Sequence, residues 1–132
     1  MPYGCALAKK GNHMHRDQYI YKVLTPNQWA GFQASDVFTG SPVDLADGYI
    51  HLSCASELKA TLDKWYANHA QVTLVQVKAA AVQANLKYEV SRGGIEFPHL
   101  YADLPMSAVG QVWVVSPDTD GYRLPTDLNS GM

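Results

Sequence analysis

One run of residues constrains the fold of this chain more than any other. Residues 72–77 have the sequence Val-Thr-Leu-Val-Gln-Val, which is apolar at nearly every position. β-Branched residues dominate it, and six residues is an ordinary strand length. A strand without regular polar alternation is typically covered on both faces. The run therefore predicts a central strand with other elements packed against both of its sides.

Shorter alternating segments predict the remaining strands. Tyr19 to Leu24 alternates so that Tyr19, Tyr21 and Val23 share one face. Further strands are predicted at 86–90, 95–97 and 112–115, and a short helical connection at 79–84. Ser-Arg-Gly-Gly at 91–94 predicts a hairpin turn, and Pro98 is expected to end the second arm because proline donates nothing to a ladder.

Two main helices are expected. Thr25-Pro26-Asn27-Gln28 forms a capping box that predicts a helix from Pro26 to about Ala34. After Ser53, an apolar stripe through Leu58, Leu62, Trp65 and Tyr66 predicts a second helix as far as about His69. Residues 35–47 are predicted to be a long loop that closes as a flap over a site. Hairpin strands beside two main helices predict an α+β domain with a mixed or antiparallel sheet rather than a doubly wound one.

The 132 residues suit a single folded domain. We assign it to residues 18–117, with a flexible N-terminal extension at 1–17 and a loose, Asp-, Gly- and Pro-rich tail at 118–132, in which only Tyr122 to Leu124 could pair as a short strand. Met14 is an alternative to Met1 as the translation start.

Charge and composition exclude several classes of partner. The formal net charge is -2, and no basic run exceeds Lys9-Lys10, so no nucleic-acid partner is expected. No segment approaches the ~20 apolar residues of a membrane span. Cys5 and Cys54 lie in different contexts, so no disulfide is expected, and a cytoplasmic location follows.

Candidate chemistry is concentrated between Asp44 and Ser53. Asp47-Gly48 predicts a turn, and the strand after it would place Tyr49, His51 and Ser53 on one face, with Ile50 and Leu52 in the core. His51 and Ser53 would then suit the hydroxyls of a ribose or another polyol. The alternative is structural: His51 a satisfied core histidine, and Ser53 the N-cap of the next helix.

Lys22 also has two interpretations. It lies on an otherwise apolar strand face, so it either snorkels at a sheet edge or faces a cleft as a cation. No metal site is predicted, because no pair of histidines and cysteines has the spacing of a known local motif.

Several motifs together resemble the DUF952 family of small bacterial proteins, over about residues 19–116. The motifs are Ile20-Tyr21-Lys22-Val23, Trp29, Gly40-Ser41-Pro42, Asp47-Gly48-Tyr49-Ile50-His51-Leu52-Ser53, Glu89 and Phe97-Pro98-His99-Leu100-Tyr101. The resemblance implies a compact relative of the ADP-ribosyltransferase fold, in which a histidine on an early strand holds the ribose of NAD in a cleft of a split sheet. It brings no assigned biochemical function.

The resemblance also implies roles for individual residues. His51 would bind a ribose hydroxyl with support from Ser53, and a tyrosine would stack on a flat ring. Glu89 or Glu96 would stabilise the positive centre formed as nicotinamide leaves, and Glu89 fits the family pattern better. The implied catalytic residues are Glu89 and His51, and the implied ligand-binding residues are Lys22, Ser41, Asp47, Tyr49, His51, Ser53, His99 and Tyr101. NAD would be the substrate. The alternative is a non-catalytic module that binds a metabolite or a protein.

Overall fold

The computed structural model describes residues 17–128. Its strands are β1 (Tyr19–Leu24), β2 (Val37–Phe38), β3 (Ile50–His51), β4 (Val72–Lys78), β5 (Leu86–Val90), β6 (Glu96–Leu100), β7 (Leu104–Pro105) and β8 (Val109–Val115). Its α-helices are α1 (Pro26–Ser35), α2 (Pro42–Asp47), α3 (Ala55–Trp65) and α4 (Ala79–Val82), with 3₁₀ turns at Gln83–Asn85, Arg92–Gly94 and Met106–Ala108.

The first sheet is built around β4, in the antiparallel order β1-β4-β8. Every residue of 72–77 is buried, which confirms the predicted central strand. The two faces of β1 also match the predicted alternation. Tyr21 and Val23 belong to one buried cluster, while Ile20 and Leu24 belong to a second one on the opposite side. The domain therefore has a core on each face of this sheet.

A second antiparallel sheet has the order β3-β6-β5, and β2 pairs separately with β7. Tyr21 and Ser53 exchange both backbone hydrogen bonds, each 2.8 Å long, so β1 touches the segment that follows β3. The described residues thus form an α+β domain with a split sheet, and every pairing is antiparallel.

Pro98 does not end the hairpin arm, contrary to our expectation, because β6 continues through it to Leu100. The Pro98 carbonyl accepts a hydrogen bond from the Leu52 N–H at 3.1 Å. Since the amide and carbonyl of one strand residue point to the same side, the missing N–H of Pro98 also faces Leu52. The ladder with β3 stops at that point, so the proline is tolerated.

The predicted capping box at Thr25 and Gln28 is confirmed at the start of α1. The second main helix is shorter than predicted, because α3 ends at Trp65, four residues before His69. Its N-cap is Cys54, so Ser53 does not have the capping role that was its structural alternative. Leu58 and Leu62 are its buried residues.

Segment 35–47 is not all loop: it contains β2, where Val37 and Phe38 indicate a brief extended piece, and the short helix α2, which was not predicted. A second capping box begins α2: the Ser41 hydroxyl accepts from the Asp44 N–H, and the Asp44 carboxylate accepts from the Ser41 N–H. Ser41-Pro42-Val43-Asp44 carries this signal in the sequence, with the shorter aspartate in the position usually held by Glu or Gln.

The C-terminal segment is not a loose tail where the structure describes it. Tyr122 and Leu128 are buried, and the Tyr122 hydroxyl donates to the Tyr66 carbonyl at 2.8 Å. The Leu128 carbonyl accepts from the Tyr21 hydroxyl at 2.8 Å and from the Gln76 amide at 3.0 Å. Residues 118–128 therefore belong to the domain. The predicted N-terminal extension, apart from Asp17, and residues 129–132 lie outside the described residues.

The sequence predicts no membrane span, no metal site and no disulfide. Within residues 17–128, no helix has the length and apolar character needed to cross a membrane. In the same range, no three potential metal-ligating side chains gather into one group. Cys54 is fully buried and is not a free cysteine. This goes against the expectation of no disulfide; the other cysteine of the chain, Cys5, lies outside the described residues.

Candidate functional site

A cavity of about 500 Å³ opens between β1, α2, α3 and the β3-β6-β5 sheet. Pockets that bind small molecules typically fall in the range of roughly 300–1,000 Å³. The lining residues are Tyr21, Lys22, Val23, Ser41, Val43, Asp44, Asp47, His51, Leu52, Ser53, Thr61, Trp65, Tyr66, Ser91, Phe97 and His99. The stretch from Asp44 to Ser53 supplies its polar wall, in agreement with the sequence analysis.

Asp44 is the centre of a buried polar network on this wall. Its carboxylate, only 2% exposed, accepts hydrogen bonds from the backbone N–H groups of Ser41 (2.9 Å) and His51 (3.1 Å). It also forms an ion pair with Lys22, at 2.9 Å. Burial by itself would raise the pKa of Asp44, but the His51 side chain and the charge of Lys22 hold it well below its usual value. The carboxylate is therefore ionised near neutral pH.

Lys22 is buried, and its ammonium faces inward toward the cavity wall. Its side chain is 7% exposed, and Nζ donates to the His51 carbonyl at 2.9 Å as well as to Asp44. Burial lowers the pKa of Lys22, while the Asp44 carboxylate opposes that shift. Lys22 thus does not snorkel at a sheet edge. It faces the cleft with its charge already matched by Asp44, which suits support of the site more than capture of an anion.

His51 is held between two carboxylates that differ in exposure. Its Nδ1 lies 2.7 Å from Asp44 Oδ1, and its Nε2 lies 3.0 Å from Asp47 Oδ2. Both contacts are hydrogen bonds only when both ring nitrogens carry hydrogen. Asp44 is fixed by its other partners, whereas Asp47 is 46% exposed at the cavity rim. Asp47 is therefore the partner that a ligand hydroxyl can displace or share.

His99 is held in a similar way on the neighbouring strand. It pairs with His51 in the β3-β6 register, and the two ring centroids are 5.6 Å apart. His99 Nδ1 lies 2.8 Å from Glu89 Oε1, and the same oxygen accepts from the Tyr101 hydroxyl at 2.6 Å. Tyr49 stacks on the His99 ring, with centroids 4.1 Å apart and planes 21° apart.

The Glu89 carboxylate and the Tyr101 phenol shift each other's pKa in opposite directions. Hydrogen bonds from Tyr101 and then from His99 lower the pKa of Glu89. The hydrogen bond to Glu89 raises the pKa of Tyr101 to about 12. Near neutral pH, this corner therefore presents a carboxylate, a neutral phenol and two stacked rings. Negative charge lies beside aromatic surface, which suits a positively charged planar group.

The structure brings the predicted site residues together in two groups. Six of them line the cavity, namely Lys22, Ser41, Asp47, His51, Ser53 and His99. Tyr49, Glu89 and Tyr101 instead form a cluster against His99, beside the cavity lining. Glu96 lies on the opposite face of β6 from Phe97 and His99, by strand alternation. Ser53 is buried in the lining, and its hydroxyl lies 3.5 Å from that of Thr61.

Several residues that line the cavity, among them Asp44, Trp65 and Tyr66, were not predicted from the sequence to belong to the site. Asp44 could have been found from the capping box that begins at Ser41. Trp65 and Tyr66 belong to the apolar stripe of α3 and were assigned to the core. A stripe shows which face of a helix turns inward, but it does not show whether that face meets packed side chains or an open cavity.

Comparisons with known proteins find one family and solved structures that are similar to this chain. The family model described as "Protein of unknown function (DUF952)" matches residues 23–112. The crystal structure of protein CC0527 from Caulobacter crescentus is 41% identical, with a TM-score of 0.78, and the match covers 83% of this chain and 97% of that one. The solution NMR structure of CC0527 is 42% identical, with a TM-score of 0.72 and coverages of 80% and 91%. No curated protein matches.

Proposed function

Since this chain belongs to the DUF952 family, whose description assigns no activity, we propose from the cavity itself that it binds a nucleotide-like ligand of the NAD type, with a ribose hydroxyl at His51. The proposal includes the fold relationship suggested by the sequence, namely a compact relative of the ADP-ribosyltransferase fold. The split antiparallel sheet, with His51 on its third strand, supports that relationship.

The observation that carries this proposal is the unequal pair of carboxylates around His51. Asp44 fixes the ring through Nδ1, so that Nε2 has a defined direction toward the exposed carboxylate of Asp47. A sugar hydroxyl both accepts and donates, so it can accept from Nε2 and donate to Asp47. Adjacent ribose hydroxyls would therefore complete the site without leaving a carboxylate unpaired.

The neighbouring aromatic corner supports a planar, positively charged group beside that ribose. Tyr49, His99 and Tyr101 present ring surface, and Tyr101 is 38% exposed. Asp47 and Glu89 bring negative charge to the same region. The pKa of Tyr49 is raised mainly by burial and further by the charges of these two carboxylates. The pyridinium ring of NAD has the matching charge and shape.

Glycosidic-bond chemistry is a second candidate, favoured by the ionised state of Glu89. When the C–N bond to nicotinamide breaks, its electron pair leaves with the ring and positive charge develops on the ribose. A nearby carboxylate lowers the energy of that state, and water or an acceptor hydroxyl then attacks the carbon. Because Glu89 lies beside the cavity lining rather than within it, a non-catalytic binding module is the alternative.

Ligand-observed NMR with NAD, ADP-ribose and nicotinamide tests the binding proposal. We expect saturation transfer with wild type, loss of it with His51→Ala, and a melting temperature within a few degrees of wild type. His51→Asn is a second variant, because its amide nitrogen lies close to the position of Nδ1 and keeps the contact with Asp44. It should remain folded and still lose the ligand, since it has no Nε2.

His69→Ala is the histidine control, because the His69 ring is tilted 57° against the Tyr66 ring and His69 does not itself line the cavity. It should keep wild-type binding. Absence of transfer in a folded wild-type sample would contradict the proposal, as would unchanged binding by both His51 variants.

Release of nicotinamide from NAD, followed by NMR, then separates glycosidic-bond catalysis from non-catalytic binding. Turnover that Glu89→Gln abolishes supports catalysis, whereas binding without turnover supports the binding module.

A further inference from the structure

We propose that Trp65 and Lys64 form a second subsite at the cavity mouth, which takes the adenine ring and a phosphate of a dinucleotide. This inference rests on the proposed function and deepens it, because it divides the ligand between the two ends of one cavity. The nicotinamide ribose would lie at His51 and His99, and the adenylate half at the C-terminal end of α3. Neither residue belongs to the predicted site.

The first observation is the exposure of Trp65 on the cavity wall. Its side chain lines the cavity and is 58% exposed, although α3 buries other apolar residues of the same stripe against the core. Val43, from the facing helix α2, also lines the cavity and is 63% exposed. Two large apolar side chains from two elements therefore border the same opening. A planar ring placed between them would remove apolar surface of both from water.

The second observation is the distribution of charge around the cavity. Asp47 and Glu89 lie at the histidine end, where the one lysine among the lining residues, Lys22, is paired with Asp44. Beside the lining at that end, the Lys87 ammonium lies 5.1 Å from the centroid of the Tyr101 ring, but the Glu89 carboxylate opposes its charge. Lys64 is exposed, and its ammonium lies 5.4 Å from the centroid of the Trp65 ring. A cation and an aromatic ring therefore also occur together at Trp65, and they meet the two needs of an adenylate.

This arrangement favours a ring with an attached phosphate over an apolar peptide. Bases stack on exposed aromatic side chains whatever their identity, and a lysine beside the ring adds attraction for the phosphate. The Trp65 ring both contacts the Lys64 ammonium and lines the cavity. Ligands that lack the adenylate half should therefore not depend on Trp65.

Titration calorimetry of the full chain with NAD, nicotinamide mononucleotide, AMP and adenosine tests the subsite. We expect Trp65→Ala to weaken NAD and AMP by about fivefold or more, as the loss of one base stack implies. Nicotinamide mononucleotide, which lacks adenine, should stay within about twofold of wild type. Trp65→Phe should keep most of the affinity, and Lys64→Gln should weaken AMP more than adenosine.

Val114→Ala is the matched control, because Val114 is 61% exposed on β8 and does not line the cavity. The subsite is overturned if wild type binds neither NAD nor AMP, if Trp65→Ala leaves both affinities unchanged, or if it weakens nicotinamide mononucleotide as much as NAD. The two proposals fail separately. Loss of AMP in Trp65→Ala, with His51→Ala neutral for every ligand, supports the subsite and rejects the function proposed for His51. The reverse pattern rejects the subsite alone.

Discussion

His51 and His99 face each other across two paired strands, and each has a carboxylate within 2.8 Å of its Nδ1. Their surroundings differ sharply. Asp44 is 2% exposed and also binds Lys22 and two backbone N–H groups, whereas Glu89 is 39% exposed and otherwise binds a tyrosine hydroxyl. At the first corner the carboxylate is buried and the imidazole is 33% exposed toward the cavity, whereas at the second the imidazole is 4% exposed and the carboxylate is accessible.

This difference shows that the burial of the carboxylate, rather than the distance to the ring, decides what the contact does. A buried carboxylate that loses its partners leaves uncompensated charge behind, so the Asp44 corner should control stability. An exposed one is screened by water, so the Glu89 corner can change its protonation or its partner with little effect on folding. Four measurements can break or sharpen this comparison.

The largest effect is expected from Asp44→Ala. Removing this carboxylate leaves the buried ammonium of Lys22 without its ion pair, which should lower the free energy of unfolding by about 3–5 kcal/mol. Urea denaturation measures the loss. Glu89→Ala is the matched control at the other corner and should leave the free energy of unfolding close to the wild-type value, because water screens this exposed carboxylate. Equal losses in the two variants would refute the distinction between the corners.

Acid should destabilise the Asp44 corner next. The folded-state pKa of Asp44 is lowered, so its contribution is fully present above the unfolded value of about 3.9 and is lost as the pH falls below it. Stability measured by urea from pH 7 down to pH 2 should therefore fall below about pH 4. Asp44→Asn starts less stable and should lose less over the same range. Parallel curves for the two proteins would exclude this origin.

A smaller effect is expected from the capping boxes. Thr25→Ala and Ser41→Ala should each lower stability by about 1 kcal/mol. Only Ser41→Ala should shift the ring resonances of His51 in NMR spectra, because it removes the hydroxyl that accepts from the N–H of Asp44, whose carboxylate contacts that ring. A shift of the His51 ring resonances in Thr25→Ala would show that the loss of a helix cap affects His51 through the whole domain and not through Asp44.

The smallest effect on stability is expected from Glu89→Gln, which instead should change a titration. Without the carboxylate, the pKa of Tyr101 should fall from about 12 toward the ordinary phenol value of about 10. Because the folded pKa is raised, the stabilisation is present below pH ~10 and is lost as the pH rises through ~12. Ultraviolet titration at the phenolate band measures it, and Tyr101→Phe identifies the transition. An unchanged high-pH transition in Glu89→Gln would contradict the contact.

Local patterns predicted a large part of the fold. The apolar run of β4, the two faces of β1 and the capping box of α1 follow from rules that act within a few residues, so the sequence contains them directly. In the Asp44 to Ser53 stretch, alternation places Ile50 in the core and turns His51 and Ser53 toward the cavity. Leu52 belongs to the core and also lines the cavity, and Tyr49 lies outside the lining, so alternation did not place every residue of this stretch.

The remaining features depend on which distant segments meet. The Tyr21 hydroxyl donates to the carbonyl of Leu128, which is 107 residues later in the chain. Contacts of this kind hold residues 118–128 against the domain, although their composition predicts a loose tail. Whether Trp65 meets core or cavity depends on where α2 lies, and the burial of Asp44 depends on Lys22 from another strand. Periodicity by itself determined the directions of side chains in this protein. Only the tertiary structure decided what those side chains meet, because burial and charge pairing are properties of assembled segments.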